Sequence, residues 1–374
     1  MKSFIINTIL SYKWLGINLI FLLLLFSSCA GIKKIDAHLI KEPSTINLAK
    51  ESDKSIEITY SGCGGFLINN GISAILIDPY FSNTGPIPFL YFKTLKSDTT
   101  QIDRFFDKQL STTKDKDGII KAILVAHSHY DHLADVPSVF TRVCHADSST
   151  IYGSKTTKHI LASVGLEKNV CAINPDSLKK KNSEIEPNWI YTKNKQIRFL
   201  PINSEHAPHF WGKKMVPAGI ISKDLINYPR RIQGFPEGDN FNFLIDFLDE
   251  QGEISFRIFS HAGAACNADI GIPSNEILLE KEIDVLLLCV GNYNQVIDYP
   301  EIVIGRTRPR FIIGNHWEDF FRSFENNQRS PKLIPGTNVP KFIEKVNLRI
   351  AELGLQNSLE FKLPFPNQTI RFNY

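Results

Sequence analysis

A buried strand that runs straight into a cluster of metal-type donors is the feature that most limits what this chain can fold into. Lys121 to Ala126 reads as an apolar strand, and it is followed at once by His127-Ser128-His129-Tyr130-Asp131-His132. Histidines two apart that leave a strand fall on one side if the extended geometry continues, while Asp131 and His132 come from the turn that follows. Three imidazoles gathered with one carboxylate in so small a space would leave the rings repelling one another if all were protonated. A divalent cation removes that conflict, and these are nitrogen and oxygen donors that zinc accepts. A histidine-rich surface loop is the bland alternative. With only 10 histidines in 374 residues, however, an ordered His-x-His-x-Asp-His run points to a metal site.

Further donors must come from elsewhere, so the rest of the chain has to deliver them to the same place. Ile56 to Tyr60, Phe66 to Asn69 and Ala74 to Asp78 read as strands joined by glycine-containing hairpins. Thr156 to Val164 is helix-like and Val170 to Ile173 strand-like. Phe241 to Leu248 and Ile254 to Ser260 flank a hairpin turn at Gly252. Val285 to Val290 and Phe311 to Gly314 are short apolar strands, and Val339 to Glu352 has the period of an amphipathic helix. Two β-rich halves, each followed by helices, predict an α/β fold of four αββα layers: two sheets face to face with helices outside. The stretch 81–117, weakly periodic and polar, reads as a surface insertion. At 43% hydrophobic and 22% charged, the chain is neither disordered nor a polytopic membrane protein.

The N-terminus carries a different signal. Lys2 opens a basic start, and Trp14 to Phe26 is an apolar run of thirteen residues ending at Ser27, Ser28 and Cys29. That is short of the roughly 20 residues needed to span a bilayer and has the pattern of a secretory signal peptide. The sequence Phe-Ser-Ser-Cys-Ala-Gly resembles the lipobox of bacterial lipoproteins, which implies that Cys29 becomes the acylated N-terminus. The alternative is an uncleaved anchor that also uses Phe4 to Leu10. The expected organisation is a signal peptide over 1–28, a tether over 29–52 and one folded domain over 53–374 that holds the donor cluster. Ala30 after the cysteine leans toward the outer membrane.

Loss of Lys2 and Lys13 with that signal leaves 40 basic against 39 acidic residues. A near-neutral body has no excess cations to displace counterions from a phosphate backbone, so nucleic acid is not the expected partner. With Cys29 lipidated, Cys63, Cys144, Cys171, Cys266 and Cys289 remain, and an odd number leaves at least one free thiol. Cys289 reads as a buried small hydrophobe, and Cys144 with Cys171 as a possible bridge.

Through His127-x-His129-x-Asp131-His132, the body resembles the metallo-β-lactamase superfamily of αββα metallohydrolases over roughly Ile56 to Phe321. Its opening hairpin, Gly62 to Ser82, looks like that of the branch holding N-acylphosphatidylethanolamine-hydrolysing phospholipase D and L-ascorbate-6-phosphate lactonase. That branch usually has Gly-His where this chain has Gly62-Cys63. The resemblance implies that Asp78 orients a ligand histidine from behind, an Asp-before-Pro turn being the other reading. It implies that His206, rather than the competing His209, completes a first metal site with His127 and His129. It implies, too, that His316 joins Asp131 and His132 in a second. Relatives place a bridging Asp after the strand corresponding to Phe256 to Phe259. Here no carboxylate appears until Asp269, so His261 is taken as the candidate. Cys266, Asp269, or no bridge at all, are the alternatives. His38, His145 and His159 sit in no such context.

The chemistry that follows is metal-assisted hydrolysis. A zinc held by three histidines with an open position supplies hydroxide near neutral pH, and Asp131 would orient the water and take its proton. Two zinc ions per chain are expected, with one, or iron or manganese, as alternatives. The substrate class is a phosphodiester, lactone or acyl ester. An apolar insertion from Phe81 to Phe92, with Phe210, Trp211, Trp317, Phe320 and Phe321, could line a cleft for a small or lipid-like molecule, although ordinary core is the competing role. An iron redox enzyme and a decayed, ligand-binding lipoprotein are the other classes left open. Oligomeric state is not encoded in any motif found.

Overall fold

The computed structural model describes residues 35, 37–40, 45–48, 54–83, 85, 92–111, 118–175, 188–208, 217–263 and 270–374. The predicted signal peptide, Cys29, most of the tether, His209, Phe210, Trp211, Cys266, Asp269 and residues 86–91 lie outside them. No helix of the described residues is long and apolar enough to cross a membrane.

In chain order the strands are β1 (Ile46–Asn47), β2 (Ser55–Gly62), β3 (Gly65–Asn69), β4 (Ala74–Ile77), β5 (Ile120–Leu124), β6 (Thr150–Gly153), β7 (Val170–Ala172) and β8 (Ile190–Tyr191). They continue as β9 (Ile197–Ser204), β10 (Asn240–Leu248), β11 (Ile254–His261), β12 (Val285–Cys289), β13 (Phe311–Asn315), β14 (Glu360–Lys362) and β15 (Thr369–Asn373). Among the described residues they form an eight-stranded sheet, ordered β1-β15-β2-β3-β4-β5-β6-β7, and a seven-stranded sheet, ordered β14-β13-β12-β11-β10-β9-β8.

The two sheets pack face to face. Tyr152 of the first meets Phe199 of the second at 4.8 Å between ring centroids, and Phe372 of the first meets Phe256 and Phe311 of the second at 5.8 and 5.1 Å. The central strands β5 and β12 are apolar almost throughout because helices cover their outer faces. Helix Val339–Glu352, with the predicted bounds, buries Phe342, Ile343 and Val346 and lays Phe342 against Phe361 and Tyr299. The architecture is the four-layer αββα sandwich expected from the sequence.

Strand direction decides where a site can form. Strands β4 and β5 are parallel, as are β11, β12 and β13. Because β9 and β11 both run antiparallel to β10, β9 shares the direction of that set. The C-terminal ends of β4 and β5, and those of β9 and β11 to β13, therefore each gather at one end of their sheet, where open α/β sheets place ligands.

Two elements differ from expectation. Thr99–Gln109, inside the presumed insertion, is an 11-residue helix whose first turn is capped by the Asp98 carboxylate accepting from the Gln101 N–H at 3.1 Å. Its Ile102, Phe105 and Phe106 recur at helical spacing and bury against Phe81. The polar residues between them concealed that stripe. The other is β15, which returns from the C-terminus to lie between β1 and β2 and pairs with β2 from Thr369↔Thr59 to Asn373↔Ser55. It alternates, with Ile370 and Phe372 fully buried and Arg371 exposed. Truncating Phe372 to alanine should cost about 3–5 kcal/mol, read as a lower urea midpoint at unchanged slope, because the ring fills the space between both sheets.

Candidate metal centre

Each donor stands just beyond the end of a strand. After β5 the chain passes Val125 and Ala126 and reaches His127 and His129, then turns into the short helix Tyr130–Leu133 that holds Asp131 and His132. His206 follows β9 by two residues, and His316 follows β13 directly. Asp78 follows β4, and Cys63 occupies the turn between β2 and β3.

These residues form two groups. In the first, one donor atom each of His127, His129 and His206 lies within 4.8 Å of the others, so the β5 and β9 ends, from different sheets, meet at one point. The His206 ring is oriented by the carbonyl of Ala207, 2.7 Å from Nδ1. The His127 Nε2 atom is buried and has no hydrogen-bond partner. In the second group, Cys63, Asp131 and His316 satisfy the same distance criterion. Asp131 Oδ2 stands 3.5 Å from His316 Nε2, 3.7 Å from His132 Nε2 and 3.8 Å from Cys63 Sγ. The groups adjoin, since the His127 and His132 rings are 3.9 Å apart.

Behind the donors, Asp78 performs two tasks. Its Oδ1 accepts the Ala126 N–H at 2.8 Å, fixing the exit of β5, and its Oδ2 lies 2.9 Å from His132 Nδ1. Asp78 takes a left-handed φ of 42°, a conformation uncommon for a non-glycine residue. The turn Gly62-Cys63-Gly64 is left-handed throughout, at φ 97°, 50° and 83°. At Gly64 a side chain would also stand 3.6 Å from the His316 ring and 3.7 Å from the His132 ring, so the bare backbone leaves the second group its room.

The electrostatics follow from burial among like and unlike charges. Burial, then His132, His129 and His206, push His127 well below the ordinary histidine range, so its ring is neutral at physiological pH. Burial alone would raise Asp131, but His132 and His316 overcome it and hold the carboxyl well below its usual range. Burial works against the His132 cation too, yet Asp78 and Asp131 raise its pKa. Burial and the carboxylates of Asp131 and Glu318 raise the Cys63 thiol.

His261 is not brought to either group. Along β11 the period-two alternation puts Phe256, Ile258 and Ser260 toward the other sheet and Arg257, Phe259 and His261 toward the outer helices. The His261 ring packs 5.3 Å from Tyr299, fully buried, with neither ring nitrogen hydrogen-bonded. Position along the chain suggested it as a ligand, and the face of the strand excludes it. The signal that sequence reading passed over was Cys63. It was noted only as a departure from Gly-His, although a cysteine is itself a donor. Glu318 was missed as well. Its Oε1 accepts the Cys63 N–H at 2.7 Å, and its Oε2 accepts the Tyr60 hydroxyl.

Of the aromatics considered for a cleft, Phe320 stacks edge-on to His316 at 4.8 Å and touches Phe321 at 4.3 Å. Phe81 and Trp317 are core: Phe81 packs on Phe105 and Phe324, and the Trp317 indole donates to the Pro364 carbonyl. Cys144 and Cys171 are both free cysteines, so they are not bridged to one another.

No protein-family model matches the chain. No curated protein matches it either. Among solved structures it is similar to a metallo hydrolase from the archaeon Ignicoccus hospitalis, at 15% identity over 86% of this chain and 99% of that one, with a TM-score of 0.47. It is similar also to the metallo-β-lactamase fold protein YhfI of Bacillus subtilis, at 11% identity over 85% and 100%, with a TM-score of 0.43. A third is CmlA, a diiron β-hydroxylase from Streptomyces venezuelae, at 9% identity over 87% of this chain and 55% of that one, with a TM-score of 0.44.

The unpartnered His261 makes a pH prediction. Burial lowers its pKa from 6.5 to about 4, so the folded state keeps the ring neutral where the unfolded chain protonates it. That depressed value makes the unfolded state bind more protons between pH 6.5 and 4, and stability falls as pH drops through that window. The loss should reach about 3 kcal/mol by its lower end. In His261→Phe, urea unfolding of metal-free protein should show that much less acid sensitivity over the same window.

Proposed function

We propose that the chain is a metal-dependent hydrolase of the metallo-β-lactamase type. In this reading His127, His129 and His206 hold one zinc ion, and Asp131, His132 and His316 contribute to holding a second. The observation that carries it is the meeting of three histidine donors from two different sheets, one of them with a buried nitrogen that has no hydrogen-bond partner. Neutral imidazoles around a common point fit zinc, and the orphaned nitrogen fits an absent cation better than a satisfied core histidine. A cation there supplies a Lewis acid and brings the pKa of water toward neutrality.

The chain's own residues account for the rest. His127 stays neutral, so its lone pair is free at physiological pH. Asp78 holds the His132 ring and the exit of β5 in one grip, which fixes donor geometry before any ligand arrives. Asp131, ionised and flanked by His132 and His316, is placed to orient an attacking water and to accept its proton. The electrophile is a phosphodiester, lactone or acyl ester. Phe320 and Phe321 beside His316 support an apolar, acyl-bearing portion on a small or lipid-like substrate.

A screen with phosphodiester, lactone and acyl ester compounds tests this directly. Turnover should vanish in His127→Ala, and Asp131→Asn should lower kcat by roughly 10²- to 10⁴-fold. Zinc bound without turnover on any class would favour a ligand-binding protein instead. Stoichiometric iron in protein expressed without added metal would favour redox chemistry.

The same proposal includes export and a lipid tether at Cys29 to the outer membrane, supported by the basic start, the apolar run 14–26 and the small residues before the cysteine. Cys29→Ser should move the protein from the membrane fraction to the soluble fraction, and a wild-type protein already soluble would overturn the tether.

A further inference from the structure

Among the described residues no carboxylate directly follows β11, and the last side chain of that strand, His261, turns away from the second donor group. Another described side chain there can supply negative charge. Three described carboxylates touch these groups. Asp78 is committed to the Ala126 N–H and His132. Glu318 is committed to the Cys63 N–H and the Tyr60 hydroxyl. Asp131 is already a donor of the group. Within the described donor group of Cys63, Asp131 and His316, the other side chain that can carry a negative charge is the Cys63 thiol, 1% exposed and 3.8 Å from Asp131 Oδ2.

Resting on the metal-centre reading above, we propose that Cys63 is a thiolate ligand of the second cation, with Asp131 and His316, and that Glu318 and Tyr60 are positioning residues that hold it there. Ligation forms a sulfur–metal bond and releases the thiol proton to water.

One observation points to a ligand at this spot, and a second shows how its donors are held. Asn315 Oδ1 is buried with no hydrogen-bond partner, and it lies 3.9 Å from where a side chain on Gly64 would begin, a point also 3.6 Å from the His316 ring and 3.7 Å from the His132 ring. An unpaired carbonyl oxygen aimed into a donor cluster is what a bound cation or its water would satisfy. The other observation is the way the ligands are tied together. The Tyr60 hydroxyl accepts the His316 N–H at 2.9 Å and donates to Glu318 Oε2, while Glu318 Oε1 accepts the Cys63 N–H. One buried chain thus fixes two non-glycine residues in left-handed backbone, Cys63 at φ 50° and His316 at φ 55°. The two rare conformations are clamped together although the residues lie on different sheets.

The donor sets would then differ in character. The first has three neutral nitrogens; the second has sulfur, oxygen and nitrogen and two negative charges. A thiolate favours zinc or cobalt over magnesium, calcium or manganese.

Cobalt substitution of the full chain reads this out without turnover. Wild type should take up two Co²⁺ and show a sulfur-to-cobalt charge-transfer band in the near ultraviolet. Cys63→Ser should lose that band and bind the second cobalt at least about tenfold more weakly, with the visible bands of the three-histidine site intact. Glu318→Gln should keep the band, shifted, and weaken the second site by about 10- to 100-fold while the first is unchanged. X-ray absorption on the unsubstituted zinc protein should show a sulfur neighbour at ~2.3 Å, which does not depend on any variant folding. Bound metal with no band and no sulfur neighbour would overturn the thiolate and leave the metal centre standing. A band that survives Cys63→Ser would assign the sulfur to another cysteine and overturn it as well. A chain that binds no metal at all would remove the metal-centre reading itself.

Discussion

The rest of the structure depends on one constraint: chemically demanding side chains are buried together at the end of a sandwich whose interior is largely apolar. His127, His129, His132 and Asp131 are nearly inaccessible, in a place where a protonated ring or an unpaired nitrogen is expensive. The fold meets that cost in parts. Asp78 steadies His132 from behind, the Ala207 carbonyl turns His206, and Asp131 balances His132 and His316. Left over are the His127 nitrogen and the Asn315 oxygen, both buried without a hydrogen-bond partner.

That burial is possible because the sheets are directional. Parallel strands finish at one end, so their loops can exchange side chains there without breaking a ladder. The cross-sheet aromatic contacts and the C-terminal strand β15, which ties the end of the chain into the first sheet, hold the two halves in the register the site needs. The helix Thr99–Gln109 plays a similar part from outside by packing on Phe81, three residues beyond Asp78.

Much of this was legible beforehand, and the failures have physical causes. Apolar runs flanked by glycine are strong local signals, so β2 to β5, β10 to β13 and the helix Val339–Glu352 fell close to where patterning put them. The helix inside the presumed insertion was hidden because Ile102, Phe105 and Phe106 make a narrow stripe among polar residues. His261 failed for a sharper reason. A one-residue step along a strand exchanges its two faces, and chain position alone cannot say which face looks toward a site built by another sheet. Cys63 was visible but unassigned, since nothing local in Gly62-Cys63-Gly64 says that His316, 253 positions away in the chain, will stand beside it.

The sequence by itself determined the elements and the nucleus of the chemistry, because strand and helix periodicity and the His127 to His132 run are short-range patterns written in adjacent residues. Only the tertiary structure decided which remote side chains stand beside that nucleus. It brought His206, His316 and Cys63 there and turned His261 away. The reason is geometric: membership depends on the direction in which each strand ends and the face its last residue presents, and both are set by packing between sheets.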